Sequence, residues 1–223
     1  MKRSTSAGRQ LLQEMKATAG MDGCEDGLAV GRPAEMFLRP VPTRAGWLNS
    51  ADIRLLSEWR NRSKHAFLTE FEANEERTAR WLIEVVGPDD TRILFMVKDA
   101  RSGESVGYMG LASIDWAQGT GEADAVVRGS NTRPGAMKTA LLTLLRWAHD
   151  CLGLRALGVR VRSDNPAVTF YQKVGFFEVR RVPLRRSNKP DMVQWVEDES
   201  LPSGEPSLIH MALAAAILEG PNN

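Results

Sequence analysis

Cysteine is scarce in this sequence of 223 residues, which also lacks long apolar runs and an excess of charge of either sign. Two cysteines, Cys24 and Cys151, cannot build a disulfide framework, and no cluster of Cys and His has the spacing of a zinc site. No apolar run approaches the roughly 20 residues of a membrane helix, and the basic first residues lack an apolar signal core. We therefore expect a cytoplasmic protein that holds no metal and has no membrane partner.

The overall charge is close to zero, since 29 basic residues stand against 28 acidic ones. A dedicated nucleic-acid binder usually carries a large basic excess, so the composition disfavours nucleic acid as a partner. The sum hides two local imbalances. Residues 128–162 hold seven basic side chains against a single acid, Asp150, and residues 191–205 hold acids but no Lys or Arg.

Hydrophobic periodicity predicts one α/β (α+β) domain, with a mixed, mostly antiparallel central sheet of about seven strands and helices on both faces. We expect residues 1–34 to form a flexible N-terminal tail, residues 35–215 the domain, and residues 216–223 a C-terminal tail. Residues 185–206 are interpreted as a charged insertion loop whose basic and acidic halves neutralise each other. A flap that covers the substrate is the alternative.

A glycine-containing loop, residues 129–135, lies between a predicted strand and a long predicted helix, which is the layout of an anion site. The N-terminus of a helix offers unpaired N–H groups and a partial positive charge, and glycine lets an anion approach the backbone closely. A tight structural turn is an equally good interpretation of the loop alone.

A second signal runs from Asn165 to Gly175. Asn165 ends a predicted strand and caps a short helix, and Gly175 ends that helix. By periodicity alone, Tyr171 fits a core aromatic better than a catalytic acid.

Together, the loop sequence Arg-Pro-Gly-Ala-Met and the pattern Asn165-x-Ala167-x-x-x-Tyr171-x-x-x-Gly175-Phe176 resemble the GNAT superfamily of acyl-CoA-dependent N-acetyltransferases. The resemblance covers residues 36–214. It is greatest to the ribosomal-protein-alanine and nucleotide-amino-sugar acetyltransferase branches, which these motifs do not separate. The loop departs from the family pattern, because Met137 takes the place of a second small residue and Thr132 that of a basic one.

The resemblance implies an enzyme that uses acetyl-CoA and transfers its acetyl group to a primary amine. The acceptor would be an amino-sugar nucleotide or another small molecule. A protein N-terminus is an alternative acceptor, and a non-catalytic acyl-CoA-binding module is an alternative function on the same fold.

By the same resemblance, Tyr171 is the acid at the CoA sulfur, since a phenol of pKa about 10 can protonate a thiolate of pKa about 8.5. Asn165 would contact the pantetheine arm. The residues that the resemblance assigns to acetyl-CoA are Val127, Arg128, Arg133, Gly135, Ala136, Met137, Lys138, Asn165 and Tyr171.

The acceptor amine needs a carboxylate to attract it and a base to deprotonate it. Glu122 and Asp124 lie on one face of the strand before the loop and are the candidates, although solvent-facing acids of a strand would follow the same pattern. Candidates for the amine pocket lie around the first two predicted helices and are Trp59, Arg60, Asn61 and Phe67. A helix C-terminal charge and cap is the alternative for Arg60 and Asn61. The sequence also leaves open whether the chain forms a homodimer.

Overall fold

Strands and helices fill most of the chain that the computed structural model describes, which is residues 4–21, 27–129, 132–204 and 206–219. The helices are α1 (Thr5–Thr18), α2 (Ser50–Arg62), α3 (Glu75–Trp81, continued by a π-helical turn over Leu82–Val86), α4 (Ala136–Cys151), α5 (Ala167–Val174) and α6 (Ala215–Glu219). The strands are β1 (Leu28–Val30), β2 (Met36–Pro40), β3 (Thr69–Glu70), β4 (Ile93–Asp99), β5 (Ser105–Asp115), β6 (Thr120–Arg128), β7 (Ala156–Arg162), β8 (Phe176–Lys189), β9 (Met192–Glu197) and β10 (Ser207–Leu213).

The described strands form one open sheet in the order β1-β2-β4-β5-β6-β7-β10-β8-β9-β3. Every neighbouring pair is antiparallel except β6 and β7, which run parallel. The predicted mixed, mostly antiparallel sheet is confirmed, but about seven strands was too few. β1, β3 and β9 were missed. β1 has three residues and β3 two, which is too short for an alternating pattern.

Helices cover both faces of the sheet, as predicted. Neighbouring residues of β4 show the reason, since Phe95 and Met96 are both fully buried but belong to different cores. Phe95 lies in the core under α1, α4 and α5, and Met96 lies in the core under α2 and α3. A strand covered on both faces has a continuous apolar run instead of an alternating one. No helix among the described residues is long and apolar enough to span a bilayer.

The prediction of a flexible N-terminal tail is wrong for residues 5–18 and 28–30. The buried face of α1 consists of Gly8, Leu12 and Lys16, which are spaced one turn apart. Leu12 is fully buried in the core, and Lys16 Nζ donates hydrogen bonds of 2.6 Å to the carbonyls of Val86 and Asp89. Leu11 and Met15 also pack against this core, but three apolar side chains in an otherwise polar segment are too few to predict a packed helix from the sequence. Cys24 lies outside the described residues.

The segment predicted as a charged insertion loop is mainly a hairpin. β8 continues to Lys189 and pairs with β9, and this pairing occupies most of residues 185–206. Its basic and acidic halves do pair, as Arg185 Nε lies 2.9 Å from Asp198 and Arg180 contacts Glu199. Glu205 lies outside the described residues.

The predicted C-terminal tail is likewise wrong over its first residues. α6 runs through residues 216–219, and its Ile217 packs against the core beside Gly175. Residues 220–223 lie outside the described part of the chain.

Candidate active site

The central feature of the sheet is a gap between its two parallel strands. β6 and β7 pair only from Thr120 opposite Ala156 to Ala123 opposite Val159, although β6 continues to Arg128 and β7 to Arg162. We call this gap, between residues 124–128 and residues 160–162, the strand split. A ligand site is expected at the carboxyl ends of parallel strands.

A bulge in β6 accompanies the strand split. The register with β5 shifts between Tyr108 opposite Val127 and Gly110 opposite Asp124. Ala125 adopts a positive φ of 51° at this place. A bulge of this kind increases the local twist and bends the strand, which directs β6 away from β7.

Asp124, at the strand split, lies within electrostatic range of two buried tyrosines. Tyr108 comes from β5 in the core under α2, and Tyr171 comes from α5 in the core under α4. Burial raises the pKa of each phenol well above 10, and the charge of Asp124 adds to the increase. Both phenols therefore stay neutral at any physiological pH. None of the three side chains has a hydrogen-bonding partner among the residues that the structure describes.

The second candidate base, Glu122, is neutralised. Its carboxylate accepts a hydrogen bond of 2.8 Å from Arg160 Nε, one strand away on β7. Arg160 also reaches Ser113 Oγ at 3.3 Å. Asp124 is therefore the unpaired one of the two acids that the sequence singled out.

The anion site predicted at the start of α4 has the expected geometry. Gly135 occupies the N-cap position at φ 81°, without a capping side chain, and no acid stands in the first turn. The first N–H groups of a helix have no intrahelical acceptor. A Cβ atom on Gly135 would meet nothing within 4 Å, so the space in front of the helix is open. Lys138 is exposed there.

Structural contacts explain both departures from the family's loop pattern. Met137 is buried and its sulfur lies against Gly107, where a Cβ atom would come within 2.8 Å. Its side chain points into the core, so its size does not obstruct the loop. Thr132 donates its hydroxyl to the Val106 carbonyl, with the Gly129 carbonyl 3.2 Å away, and thereby holds the loop in place.

The two arginines of the loop also have partners within the chain. Arg128 Nη2 donates to the Thr132 carbonyl at 3.0 Å, and Arg133 pairs with Glu35 at 2.7 Å. Both arginines are exposed. Val127 is buried in the core under α2, so only its backbone is available to a ligand. Residues 130 and 131 lie outside the described part of the loop.

The candidate acceptor residues divide into two groups. Trp59 stacks on Tyr108 with ring centroids 6.3 Å apart and planes 10° apart, in the core under α2. Phe67 covers one face of the Arg60 guanidinium at 4.2 Å. Asn61 exchanges hydrogen bonds of 2.8 and 2.7 Å with the backbone of residue 73. These contacts of Arg60 and Asn61 favour the structural alternative for both.

Asn165 joins the second motif to the acceptor side. Its Oδ1 accepts a hydrogen bond of 2.9 Å from the Ala167 N–H at the start of α5, and its Nδ2 donates to the Ala66 carbonyl at 3.2 Å. Asn165 thus starts the helix that carries Tyr171 and ties it to the segment after α2.

Comparison with known proteins identifies the class of protein that this fold and this site define. The family model described as an acetyltransferase (GNAT) domain matches residues 46–176, which is more than half of the chain. The chain belongs to the GNAT family, and it is an acyl-CoA-dependent acetyltransferase whose acyl donor is acetyl-CoA. The predicted family, enzyme class and cofactor are confirmed; the predicted branch within the family is not. A search of curated protein sequences gives no match.

Solved structures resemble the chain in fold. A spermidine N-acetyltransferase from Vibrio cholerae, in complex with CoA and spermine, is 17% identical with a TM-score of 0.63, over 83% of this chain and 99% of that one. A probable GNAT-family acetyltransferase from Chromobacterium violaceum ATCC 12472 is 17% identical with a TM-score of 0.65, over 88% and 91%.

Sequence reasoning missed Tyr108. It stands in a strand that is buried on both faces, and nothing near it in sequence indicates a site. Only the β6 bulge, which shifts the register by one residue, brings it beside Asp124. The glycines on either side of it, Gly107 and Gly110, were the one visible sign that other atoms approach this strand closely.

Proposed function

We propose that the chain transfers the acetyl group of acetyl-CoA to a primary amine of a small molecule, with Asp124 receiving the amine and Tyr171 acting as the acid. One observation carries this proposal: at the strand split, an unpaired carboxylate lies within electrostatic range of two buried, neutral phenols. A carboxylate attracts a cationic amine, and a phenol can donate a proton, so the two chemical tasks of the transfer fall on adjacent groups.

The start of α4 fits the pyrophosphate of acetyl-CoA. The helix end is uncapped, so the N–H groups of Met137 and Lys138 have no intrahelical acceptor, and the open space at Gly135 admits a phosphate. Lys138 adds a positive charge. When bound, acetyl-CoA supplies an activated thioester, and the strand split would accommodate its pantetheine arm between β6 and β7.

The chain's own residues then move two protons. Asp124 holds the ammonium group and accepts a proton from it, which leaves a lone pair on the nitrogen for attack at the carbonyl carbon. Tyr171 Oη donates its proton on the sulfur side. Because burial raises the pKa of Tyr171, the phenol carries this proton at any pH at which the enzyme works.

The acceptor is the part of the function that needs a direct test. The Vibrio cholerae neighbour is a spermidine N-acetyltransferase seen with spermine, which supports a small acceptor with primary amines. CoA release should be measured with acetyl-CoA and a panel of polyamines, amino-sugar nucleotides, aminoglycosides and peptides with free N-termini. We expect turnover with a small amine. Turnover with peptides alone would assign the protein-acetylating alternative, and no turnover at all would overturn the proposal.

A homodimer is the remaining part of the proposal. β8 pairs with β10 along one edge, and its other edge pairs with β9 only from Leu184 onward, so on that other edge residues 177–182 have no described partner strand. Phe177 and Val179 on this edge are more than half exposed. In an antiparallel pairing about Val179, Glu178 of one copy would face Arg180 of the other. Light scattering on the purified chain would show twice the mass of the monomer.

A further inference from the structure

Two arginines from different helices contact the same aromatic ring on the acceptor side of the site. The guanidinium carbons of Arg60, in the last turn of α2, and Arg77, in α3, lie 4.2 and 3.7 Å from the ring centroid of Phe71. These distances keep the two guanidinium carbons within about 8 Å of each other. We call Arg60 and Arg77 the arginine pair. Two positive charges at such a separation repel each other unless an anion lies close to both.

Arg77 has no counterion in the described part of the chain. Its side chain contacts Phe71 but forms no hydrogen bond or ion pair with any residue that the structure describes. Two acids of the same segment are engaged by other cations, since Glu72 pairs with Lys64 and Glu76 with Arg80. A half-buried guanidinium without a counterion is a group that an anionic ligand can bind.

Arg60 adds a second charge and lies between Arg77 and the candidate amine site. Its Nη2 donates to the Thr69 carbonyl at 2.9 Å, which fixes the side chain. Its Nη1 has no partner among the described residues and is not fully buried, so a ligand can reach it. Burial lowers the pKa of Arg60 and the charge of Arg77 lowers it further, while Asp124 acts in the opposite direction. Arg60 is therefore within electrostatic range of both Arg77 and Asp124.

Contacts between α2 and α3 hold the arginine pair in place. Ser57 of α2 and Thr78 of α3 share a buried hydrogen bond of 2.8 Å between their hydroxyls. Asn61 exchanges hydrogen bonds of 2.8 and 2.7 Å with the backbone of Ala73, which fixes the segment between the two helices. Cations that are already in position lose little conformational freedom when a ligand binds, and this favours binding.

Arg77 also lines a cleft that is open to solvent. The cleft lies between the start of α3 and the turn that joins β8 to β9, and its volume is about 440 Å³. The acids of its wall do not neutralise Arg77, since Glu76 pairs with Arg80 and Asp191 forms no ion pair with it. A volume of this size accommodates a small molecule.

The acceptor side thus offers one unpaired carboxylate, Asp124, and an arginine pair without a counterion among the described residues. We propose that the acceptor carries an oxyanion, a carboxylate or a phosphate, besides its primary amine, and that Arg77 binds this oxyanion beside Nη1 of Arg60 while Asp124 holds the amine. The planar guanidinium matches the geometry of both oxyanions. This inference rests on the proposed function and narrows its acceptor.

The first experiment compares amines that differ only by an oxyanion. Each ω-amino acid from β-alanine to 8-aminooctanoate is paired with the n-alkylamine of the same carbon number, and glucosamine 6-phosphate is paired with glucosamine. Values of kcat/KM are measured with acetyl-CoA by CoA release. In at least one of the two series, we expect the anionic member to be preferred by about tenfold or more, because it gains charge-assisted hydrogen bonds from arginine.

The outcomes separate this inference from the proposed function. A preference among the ω-amino acids alone assigns a carboxylate to the acceptor, and a preference in the sugar pair alone assigns a phosphate. Either result supports the inference. Turnover in which the neutral member is used equally well or better in both series would overturn the inference and leave the proposed function intact. No turnover with any amine would overturn both.

The second experiment changes one member of the arginine pair. Arg77→Gln should lower the preference for the anionic acceptor by about tenfold, through a higher KM for that acceptor. Arg77→Lys keeps the charge but loses the planar fork, so its preference should lie between those of Arg77→Gln and the wild type. Arg54→Gln is the control and should keep the wild-type preference, because Arg54 is exposed on α2 and paired with Glu58.

The role of Arg77 can fail in either variant. A folded Arg77→Gln protein with an unchanged preference would overturn it. If Arg77→Gln does not fold, Arg77→Lys decides, and a preference equal to that of the wild type would overturn the role as well.

Discussion

At the scale of single residues, the site depends on which groups are left without partners. Glu122 and Asp124 are both acids of β6, two residues apart, yet one is neutralised by Arg160 and the other is free. Tyr108 and Tyr171 are both buried phenols with raised pKa values. Residue type alone therefore does not show which acid is the base or which phenol is the proton donor. Substitutions that remove one of these groups at a time can distinguish them.

Tyr171→Phe should lower turnover by about 10²-fold, because it removes the proton donor on the sulfur side. Binding of CoA, measured by calorimetry, should stay the same. The matched control is Tyr108→Phe, which removes the same atom from the neighbouring phenol and should cost less. A larger loss in Tyr108→Phe than in Tyr171→Phe would assign the acid to Tyr108 instead.

Asp124→Asn should lower kcat/KM for a small amine by about 10²-fold, since the amine loses both its attracting charge and its base. Glu122→Gln should change it little, because Glu122 is already engaged by Arg160. Steady-state kinetics on the two variants measures the difference. The reverse order of effects would make Glu122 the base.

At the scale of elements, the important feature is how α4 begins. Gly135 stands in the left-handed region at φ 81° with open space before it, so the backbone turns sharply and leaves the helix end bare. An L-amino acid with a side chain adopts that region at a cost of about 1–2 kcal/mol. Glycine adopts this region without that cost, so the loop makes the turn and keeps the space in front of the helix open.

Gly135→Ala should lower the free energy of unfolding by about 1 kcal/mol and also weaken CoA binding, because the turn relaxes and the N–H groups move. Gly103→Ala is the control. Gly103 also has a positive φ, 68°, and open space, but it lies in a distant hairpin turn. It should show the same loss in urea unfolding without a change in calorimetric affinity. Equal affinity losses in both variants would contradict a binding role for this helix end.

At the scale of the whole molecule, the N-terminal helix belongs to the domain. α1 buries Leu12 in the main core and places Lys16 against the end of α3. Burial lowers the pKa of Lys16, and the two carbonyls that it serves have no other described donor near them. The helix thus closes one side of the core instead of trailing from it.

Lys16→Met should lower the free energy of unfolding by about 1–3 kcal/mol, because two buried carbonyls lose their donor. Lys173→Met, on an exposed position of α5, is the control and should change stability by less than about 0.5 kcal/mol. Urea denaturation followed by tryptophan fluorescence measures both. Identical midpoints for the two variants would show that α1 contributes nothing to the stability of the core.

Much of the fold followed from local patterns. The strands of the central sheet and the helices α2 to α5 each carry a period of their own, so their order could be predicted without tertiary information. α1, β1, β3 and β9 could not. They are short or mostly polar, and each is stabilised by a partner far away in the chain, as Glu70 is by Trp195.

The candidate site also has features that the sequence predicts and features that only the tertiary structure shows. Sequence alone predicted the family, the glycine loop before α4 and the helix that carries Tyr171, because these depend on glycines, caps and spacings within about ten residues. Only the tertiary structure decided that Asp124 is the free acid and that Arg162 is buried between Glu70 and Asp164. Those facts depend on a β6 bulge and on partners up to 125 residues away, as between Glu70 and Trp195, which no local pattern records.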